Sequence, residues 1–267
     1  MDEHFVPELG MNLESYLKIG HRNGVHHLIR YLWSIEVIKR YRGRIKSVLD
    51  IACGAGYGSY LIAKEFPKIQ ITGADYDAEA IKFAQKNYVL TNLKYIQGDA
   101  VRWDETMGSD IYECIISFDT LEHVLHREIM MQNLVNHLKR SGFLLFSTPS
   151  GGNLILQPEW EHHQLEYSAA TLYDFMHRYF RTIRRPDSLP SIPCIKVFDR
   201  LEGSEVRYFL KMNPLLCKHP VHVRNPYEGE IRMKFQNYFR LFIRGKTYIR
   251  VYGLKIFLRE VKTFLQK

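Results

Sequence analysis

Cysteine is scarce in this chain: four in 267 residues, at Cys53, Cys114, Cys194 and Cys217, with no CxxC spacing. That excludes a disulfide-stapled scaffold and a thiolate zinc ribbon, and fits structural, reduced thiols in a cytoplasmic protein. No apolar run approaches the roughly 18 residues of a membrane-spanning helix. The first residues, Met1-Asp2-Glu3-His4, lack the basic start of a secretion signal. Internal repeats and low-complexity tracts are missing too, which removes solenoid and linker-like architectures. What is present is ordinary: 46% hydrophobic and 25% charged residues are the make-up of a folded protein, long enough for one α/β domain with additions.

The formal net charge of +8 is unevenly placed. Residues 193–267 carry 16 Lys and Arg against 6 Asp and Glu, while the other residues carry 21 against 23. A nearly neutral body with a strongly basic last quarter points to an anionic partner: a membrane surface, a phosphorylated substrate or nucleic acid. A solvated basic surface is the plain alternative.

The body is organised around Lys46–Leu61, KSVLDIACGAGYGSYL. Ser47–Ile51 is a short apolar run that reads as a buried parallel strand with a carboxylate, Asp50, near its end. Gly54, Gly56 and Gly58 follow at alternate positions, and a helical pattern starts at Ser59. Strand, glycine-rich turn and helix make the nucleotide-cradling unit of doubly wound α/β folds. The GxGxG spacing departs from the GxGxxG of a dinucleotide pyrophosphate site, because position 59 is Ser. Asp50 can accept hydrogen bonds from a cationic ammonium. A second strand, Ile69–Ala74, leads into Asp75, where a ribose-binding acid is expected. Its carboxylate can accept from both ribose hydroxyls at once.

VLDIACGAGYGS, GADYDAEAI and YIQGDA together resemble the first three motifs of class I S-adenosylmethionine-dependent methyltransferases. The resemblance implies that Asp50, Gly54, Gly56 and Asp75 hold the cofactor, with Ala52 where many members carry the first glycine of the turn. Tyr76 then offers an aromatic face to adenine, Asp99 accepts from the adenine amino group, and the amide of Ala100 lies beside it. Asp77 reads instead as a helix N-cap before Ala78–Tyr88.

In chain order, His26–Arg40 is helical by its apolar spacing. EHFVPE and HLIRYLW resemble the N-terminal segments of a bacterial subgroup associated with polysaccharide biosynthesis, which would put Arg30 and Tyr31 near the methionine carboxylate; Tyr31 as plain core and Arg30 as plain surface fit equally. Leu93–Gln97 and Tyr112–Phe118 read as the third and fourth strands. Residues at the carboxyl ends of parallel strands face the crevice, so Ser117 to His123 should line the site. His123 is a general-base candidate because its ordinary pKa lies near working pH, with Asp119 beside it. DTLEH also resembles the acid-x-x-Glu-His signature of metal-assisted methyltransferases, including ubiquinone-pathway and small-RNA enzymes, where Asp119, Glu122 and His123 would hold a divalent ion. Helix-start residues without metal are the structural alternative, and no metal is expected.

Arg127–Lys139 reads as a helix stopped by Gly142, and Phe143–Ser147 as the fifth strand. STPSGGN and the segment His163-Gln164-Leu165-Glu166-Tyr167-Ser168 resemble the same polysaccharide-associated subgroup, which makes His163 a second catalytic candidate. His162 and His163, being adjacent, should point opposite ways on an extended segment. Ser168 reads as N-cap of a helix over 169–179. The final antiparallel pair is sought among Ile195–Phe198, Val206–Leu210, Tyr238–Ile243 and Thr247–Tyr252, and His219–Pro226 reads as loop. Leu254–Lys267 forms an apolar helical stripe with Lys255, Arg259, Lys262 and Lys267 opposite, suited either to a membrane surface or to packing on a protein.

The expectation is thus an α/β, Rossmann-like, seven-stranded class I methyltransferase sheet with helices on both faces. Residues 1–45 would form an N-terminal helical cap, 46–190 the catalytic domain, and 191–267 a basic extension holding the last strands. The cofactor is S-adenosylmethionine, leaving as S-adenosylhomocysteine, and the acceptor a sugar hydroxyl on a nucleotide-activated or lipid-linked glycan. Rival readings are a small phenolic or quinone-type acceptor, RNA, and a non-catalytic cofactor-binding protein. Nucleic acid is not the expected partner, since no RNA-binding module is recognisable. A cytoplasmic protein with peripheral contact at the inner face of the membrane fits the basic tail.

Overall fold

The computed structural model describes residues 6–7, 12–19, 21–151, 162–186 and 212–222. The chain divides into two units, Met1–Val223 and Arg224–Lys267, and the described residues all belong to the first. The basic helix expected at 254–267, Cys194 and all four candidate strands for the final pair lie outside them.

Two helices, α1 (Leu13–Lys18) and α2 (Arg22–Tyr41), precede the first strand. Then come β1 (Ser47–Ile51), α3 (Tyr57–Glu65), β2 (Gln70–Asp75), α4 (Ala78–Asn87) and β3 (Leu93–Gln97). They are followed by α5 (Trp103–Thr106), β4 (Tyr112–Phe118), α6 (Arg127–Asn136) and β5 (Leu138–Ser147). Two-residue strands β6 (Ser150–Gly151) and β7 (Tyr167–Ser168) pair with each other. Helix α7 (Ala169–Met176) and strands β8 (Phe180–Arg184) and β9 (Leu215–Pro220) complete the described chain. The seven-stranded sheet runs β3-β2-β1-β4-β5-β9-β8. Its first five strands are parallel, while β9 pairs antiparallel with both β5 and β8.

Alternate residues of each strand feed opposite faces of the sheet. Val48, Ile71, Cys114, Ile116 and Leu145 join one core, with α2 and α3 packed over them. Leu49, Ile51, Ile115, Leu144 and Phe146 join the other, beneath α5, α6 and α7. The N-terminal helix is therefore a structural layer of the sheet: Ile29, Trp33, Val37 and Ile38 are all buried in that first core. The helix starts are chemically specified. His21 Nδ1 accepts from Gly24 N, Asp77 from Glu79 N, and Ser168 Oγ from Thr171 N.

Three expectations need correction. Helix α6 ends at Asn136, three residues before Lys139, because Leu138 already pairs with Tyr112 of β4. Gly142 lies within β5, where a side chain would run into the Glu113 carbonyl, so its role is close backbone approach and not helix termination. Among the described residues the last strand pair is Phe180–Arg184 with Leu215–Pro220; His219 and Pro220 are strand, not loop. The proline-rich look of 181–193 concealed β8, and a six-residue strand with Lys218 and His219 at its end shows no alternation to find.

At the amino-terminal end of the sheet, the Glu113 carboxylate accepts from Ser47 N at 2.8 Å, Ser47 Oγ at 2.6 Å and Lys46 N at 3.3 Å, and pairs with Lys139. Burial opposes its charge, but the hydrogen bonds from Lys139, Ser47 and Lys46 outweigh burial and hold its pKa at about 2. This depressed carboxylate contributes stability above its ordinary value of 4.5, lost as pH falls toward 2. Lys139 is half exposed, so its share is small. Glu113→Gln should cost about 1 kcal/mol at pH 7 and flatten the stability profile between the two values, measured by urea unfolding at a series of pH values.

Candidate active site

The strand order reverses between β1 and β4, and the loops that follow them diverge to leave a crevice at the carboxyl ends of the strands. A cleft of about 690 Å³ opens there, within the usual range for small-molecule sites. The first three strands and their loops contribute Ile51, Ala52, Asp75, Tyr76, Asp99 and Ala100 to its lining. The loop after β4 contributes Asp119, Thr120, His123, Val124 and Leu125, and His162 comes from beyond β5.

The turn after β1 is left-handed at Ala52 (φ 60°), Gly54 (54°) and Gly56 (84°). Gly54 N donates to Asp75 Oδ2 at 2.8 Å, and Asp77 N to Asp75 Oδ1 at 2.9 Å. A carboxylate has about four acceptor positions, which lets one such group serve backbone amides and a diol together. Asp50 is buried and accepts from Ser59 Oγ at 2.6 Å and Tyr31 Oη at 3.4 Å. Burial pushes its pKa up to about 7, helped by the nearby Asp75 charge and opposed by the two hydroxyl donors. A carboxyl poised so far above its ordinary range has room for a cationic partner. Ser117, at the end of β4, is fully buried and its hydroxyl has no hydrogen-bond partner among the described residues.

Helix α2 sends two side chains into this region. Tyr31 reaches Asp50 because position 58 is glycine: any Cβ there would collide with the Tyr31 ring. Arg30, 2% exposed, forms an ion pair with Asp119. Burial lowers the pKa of His27, as does the Arg30 charge, so its Nδ1 is a neutral acceptor for Arg30 Nη2 at 2.9 Å. Asp119 is itself left-handed (φ 48°) and also accepts from Ser147 Oγ at 2.9 Å.

Beyond Asp119, a short turn places Glu122 inside and His123 outside. Glu122, 1% exposed, accepts from Thr148 Oγ1 at 2.8 Å. Burial, then the Asp119 charge, raises its pKa well above the carboxylate range. The His123 ring is half exposed, and its Nδ1 lies 3.1 Å from the His162 carbonyl. Gln164 N and Leu165 N both donate to the Glu122 carbonyl, pinning the 162–166 segment against this turn. As a result the His163 ring meets the His123 ring edge-on, with centroids 4.8 Å apart. A Glu122 oxygen and one nitrogen from each of these imidazoles lie within 4.8 Å of one another. Two imidazoles and a carboxylate are a donor set suited to a divalent transition ion.

The geometry thus groups the sequence-predicted residues in two. Ala52, Asp75, Tyr76, Asp99 and Ala100 line the crevice of β1–β3, where the resemblance puts the nucleoside, while Asp50 in β1 and Gly54 and Gly56 in the turn after it lie outside that lining. Asp99 is turned to local duty: it accepts from Val101 N at 2.7 Å and pairs with Arg102 at 3.0 Å. Tyr31 touches Asp50, whereas Arg30 is committed to Asp119. That commits Asp119 to the guanidinium, and leaves His123 and His163 as the imidazole pair next to the cleft. Both neighbours His162 and His163 reach the site, one through the cleft wall and the other through His123. Sequence reasoning assigned no role to Thr148, Ser59 or Glu166; the i,i+3 spacing of His163 and Glu166 was the available signal for the last.

Ala52 is the residue the turn treats worst, since a left-handed conformation costs a non-glycine residue about 1 kcal/mol. Ala52→Gly should raise stability by about that amount in urea unfolding; a loss instead would mean that the methyl group's packing in the cleft wall outweighs the strain.

Comparison with known proteins bears on this arrangement. The malonyl-[acyl-carrier protein] O-methyltransferase of Priestia megaterium is 34% identical over 106 residues, 40% of this chain and 38% of that protein. The ubiquinone biosynthesis O-methyltransferase of Rickettsia prowazekii is 31% identical over 150 residues, 51% of this chain and 58% of that protein. The chain spans less than two thirds of the length of each of these curated relatives. Among solved structures, the O-methyltransferase of a trans-AT polyketide synthase of Brevibacillus brevis, in complex with S-adenosylhomocysteine, aligns over 83% of this chain and 86% of its own, with TM-score 0.53 and 14% identity. A plantazolicin methyltransferase, also bound to S-adenosylhomocysteine, aligns over 76% and 88%, with TM-score 0.53 and 16% identity. These two share the fold. Residues 44–195, more than half of the chain, match the family described as methyltransferase domain. The chain belongs to the methyltransferase-domain family.

Proposed function

We propose that the protein transfers the methyl group of S-adenosylmethionine to a hydroxyl oxygen, and that the hydroxyl belongs to a sugar of a nucleotide-activated or lipid-linked glycan. When bound, the cofactor supplies an activated methyl group on a positively charged sulfur. The residues around β1 and β2 suit its two ends: Asp75 the ribose diol, Tyr76 the adenine face, and Asp50 the ammonium. The observation that carries the hydroxyl reading is the meeting of His123, His163 and Glu122 next to the cleft. A carboxylate acceptor would arrive ionised, whereas a hydroxyl must lose a proton, and two imidazoles beside the cleft are the groups to take it. The sugar is supported by the likeness of STPSGGN and HQLEYS to the polysaccharide-associated subgroup, and by the basic residues of 193–267.

A phenolic or quinone-type acceptor is the second reading, favoured by the match with the Rickettsia enzyme of ubiquinone biosynthesis. A divalent cation held by Glu122, His123 and His163 would serve either acceptor by lowering the pKa of its hydroxyl. Turnover that survives exhaustive chelation assigns proton removal to the imidazoles alone; turnover lost to chelator and restored by Mn²⁺ or Zn²⁺ assigns it to the ion. Peripheral membrane contact through the helix expected at 254–267 should show as salt-sensitive cosedimentation with anionic vesicles, lost on truncation after Gly253. Among the described residues no helix is long and apolar enough to cross a membrane.

Calorimetry tests the cofactor first. Asp75→Ala should weaken S-adenosylmethionine binding at least tenfold, and absence of binding by the folded wild type would overturn the reading. Asp50 adds a pH signature. Its pKa near 7 means that an ammonium must displace a proton below neutrality. Affinity should therefore climb about tenfold per pH unit up to pH 7 and level off above it. Asp50→Asn should abolish the slope. Methyl transfer from labelled cofactor to nucleotide-sugars, against a panel of catechols, then separates the two acceptor classes.

A further inference from the structure

The Glu166 carboxylate is not among the residues expected to hold the cofactor, and its Oε1 lies 2.6 Å from His163 Nδ1. A carboxylate at ordinary pH can only accept, so the ring nitrogen facing it must carry the proton. The same pair is mostly withdrawn from solvent, at 11% exposure for His163 and 19% for Glu166. It is also held by its surroundings. Gln164 N and Leu165 N bond the Glu122 carbonyl, Leu165 is buried in the core, and Arg127 Nε donates to Tyr167 Oη at 2.9 Å. The dyad thus sits on a segment fixed at both ends, one side of it against the His123 ring.

We propose that Glu166 is a positioning residue for the methyl-transfer site. It fixes His163 in the Nδ1–H tautomer, which leaves Nε2 as the one lone-pair nitrogen of that ring. This rests on the reading of the acceptor as a hydroxyl. In the reaction, the acceptor oxygen forms a bond to the methyl carbon as the carbon–sulfur bond breaks and the sulfur leaves as a neutral thioether. The hydroxyl proton passes to His163 Nε2, and the imidazolium so formed faces the Glu166 carboxylate, which balances its charge until the proton is released to water. Orientation by a half-buried carboxylate is worth most where the ring would otherwise divide between two tautomers.

Two measurements test this. In ¹⁵N-resolved NMR of the full-length protein, neutral His163 should be Nδ1–H in the wild type and shift mainly to Nε2–H in Glu166→Ala; an unchanged tautomer would overturn the proposal. This readout needs no acceptor, so it stands apart from the functional reading. In kinetics, Glu166→Ala should lower kcat by about 10- to 100-fold with little change in cofactor KM, and Glu166→Gln should fall between it and wild type. His163→Ala and His163→Ala/Glu166→Ala should be equally slow, because Glu166 acts through the ring it orients. An equal loss from Glu166→Ala in both backgrounds would reduce Glu166 to a structural residue. A tautomer that responds as expected, in a protein that methylates no hydroxyl of the panel, would leave the dyad intact and overturn the acceptor instead.

Discussion

Four acids crowd the carboxyl ends of adjacent strands: Asp50 on β1, Asp75 on β2, and Asp119 and Glu122 after β4. Three of them are at most 2% exposed. Burying carboxylates costs free energy unless each finds donors, and here each finds different ones. Asp50 takes two hydroxyls, Asp75 two backbone amides, Asp119 a guanidinium and Glu122 a threonine hydroxyl. The partners decide the charge. Where the donors are neutral and burial dominates, as at Asp50 and Glu122, the proton is held more tightly. Apolar residues at these positions would make a more stable core. Their presence marks the crevice as built for a ligand that brings positive charge or donates hydrogen bonds.

The rest of the first unit serves this crevice. Parallel pairing of β1, β2 and β4 delivers the acids to the same edge, and the reversal of strand order keeps the covering helices from closing over it. Helix α2 closes one side by packing in the core and aiming Arg30 and Tyr31 at the strand ends. Gly58 matters for that reason: it makes room for Tyr31. In Gly56 the two requirements coincide, because the backbone is left-handed and a Cβ would strike Ala84 and Tyr95.

How much of this was legible depended on whether the signal was local. The parallel strands β1 and β4 were, since a strand buried on both faces is a short apolar run, and β1, β3 and β4 fall within the expected bounds. The Asp77 and Ser168 caps were legible too, being written by one side chain and the amide two or three residues on. The last strands were not. Strands β8 and β9 are joined across 30 residues and are defined by pairing with each other and with β5, which leaves no pattern within either. In the site, Asp50 and Asp75 could be placed from the β1–turn–β2 spacing. The Arg30–Asp119 pair spans 89 positions and the Thr148–Glu122 bond 26; only the fold brings such residues together.

These long-range contacts link the N-terminal helix to the proposed acceptor side electrostatically. Neutral His27 accepts from Arg30, which leaves that guanidinium free to neutralise Asp119. What remains of the Asp119 field adds to burial in holding a proton on Glu122, and the Arg30 charge works the other way. Burial first and the Asp119 charge second thus set the ionisation of Glu122, 4.0 Å from His123 Nε2, and Arg30 on α2 opposes them only weakly. In the proposed reaction a protonated Glu122 leaves the acceptor's proton to the imidazoles and Glu166; an ionised one would either stabilise the resulting imidazolium or join the two rings around a cation. The choice between proton and metal chemistry at this site is therefore a choice about one buried carboxyl. Asp119, which biases it after burial, is itself paired with Arg30, on a helix that the glycine-rich turn alone would never have suggested.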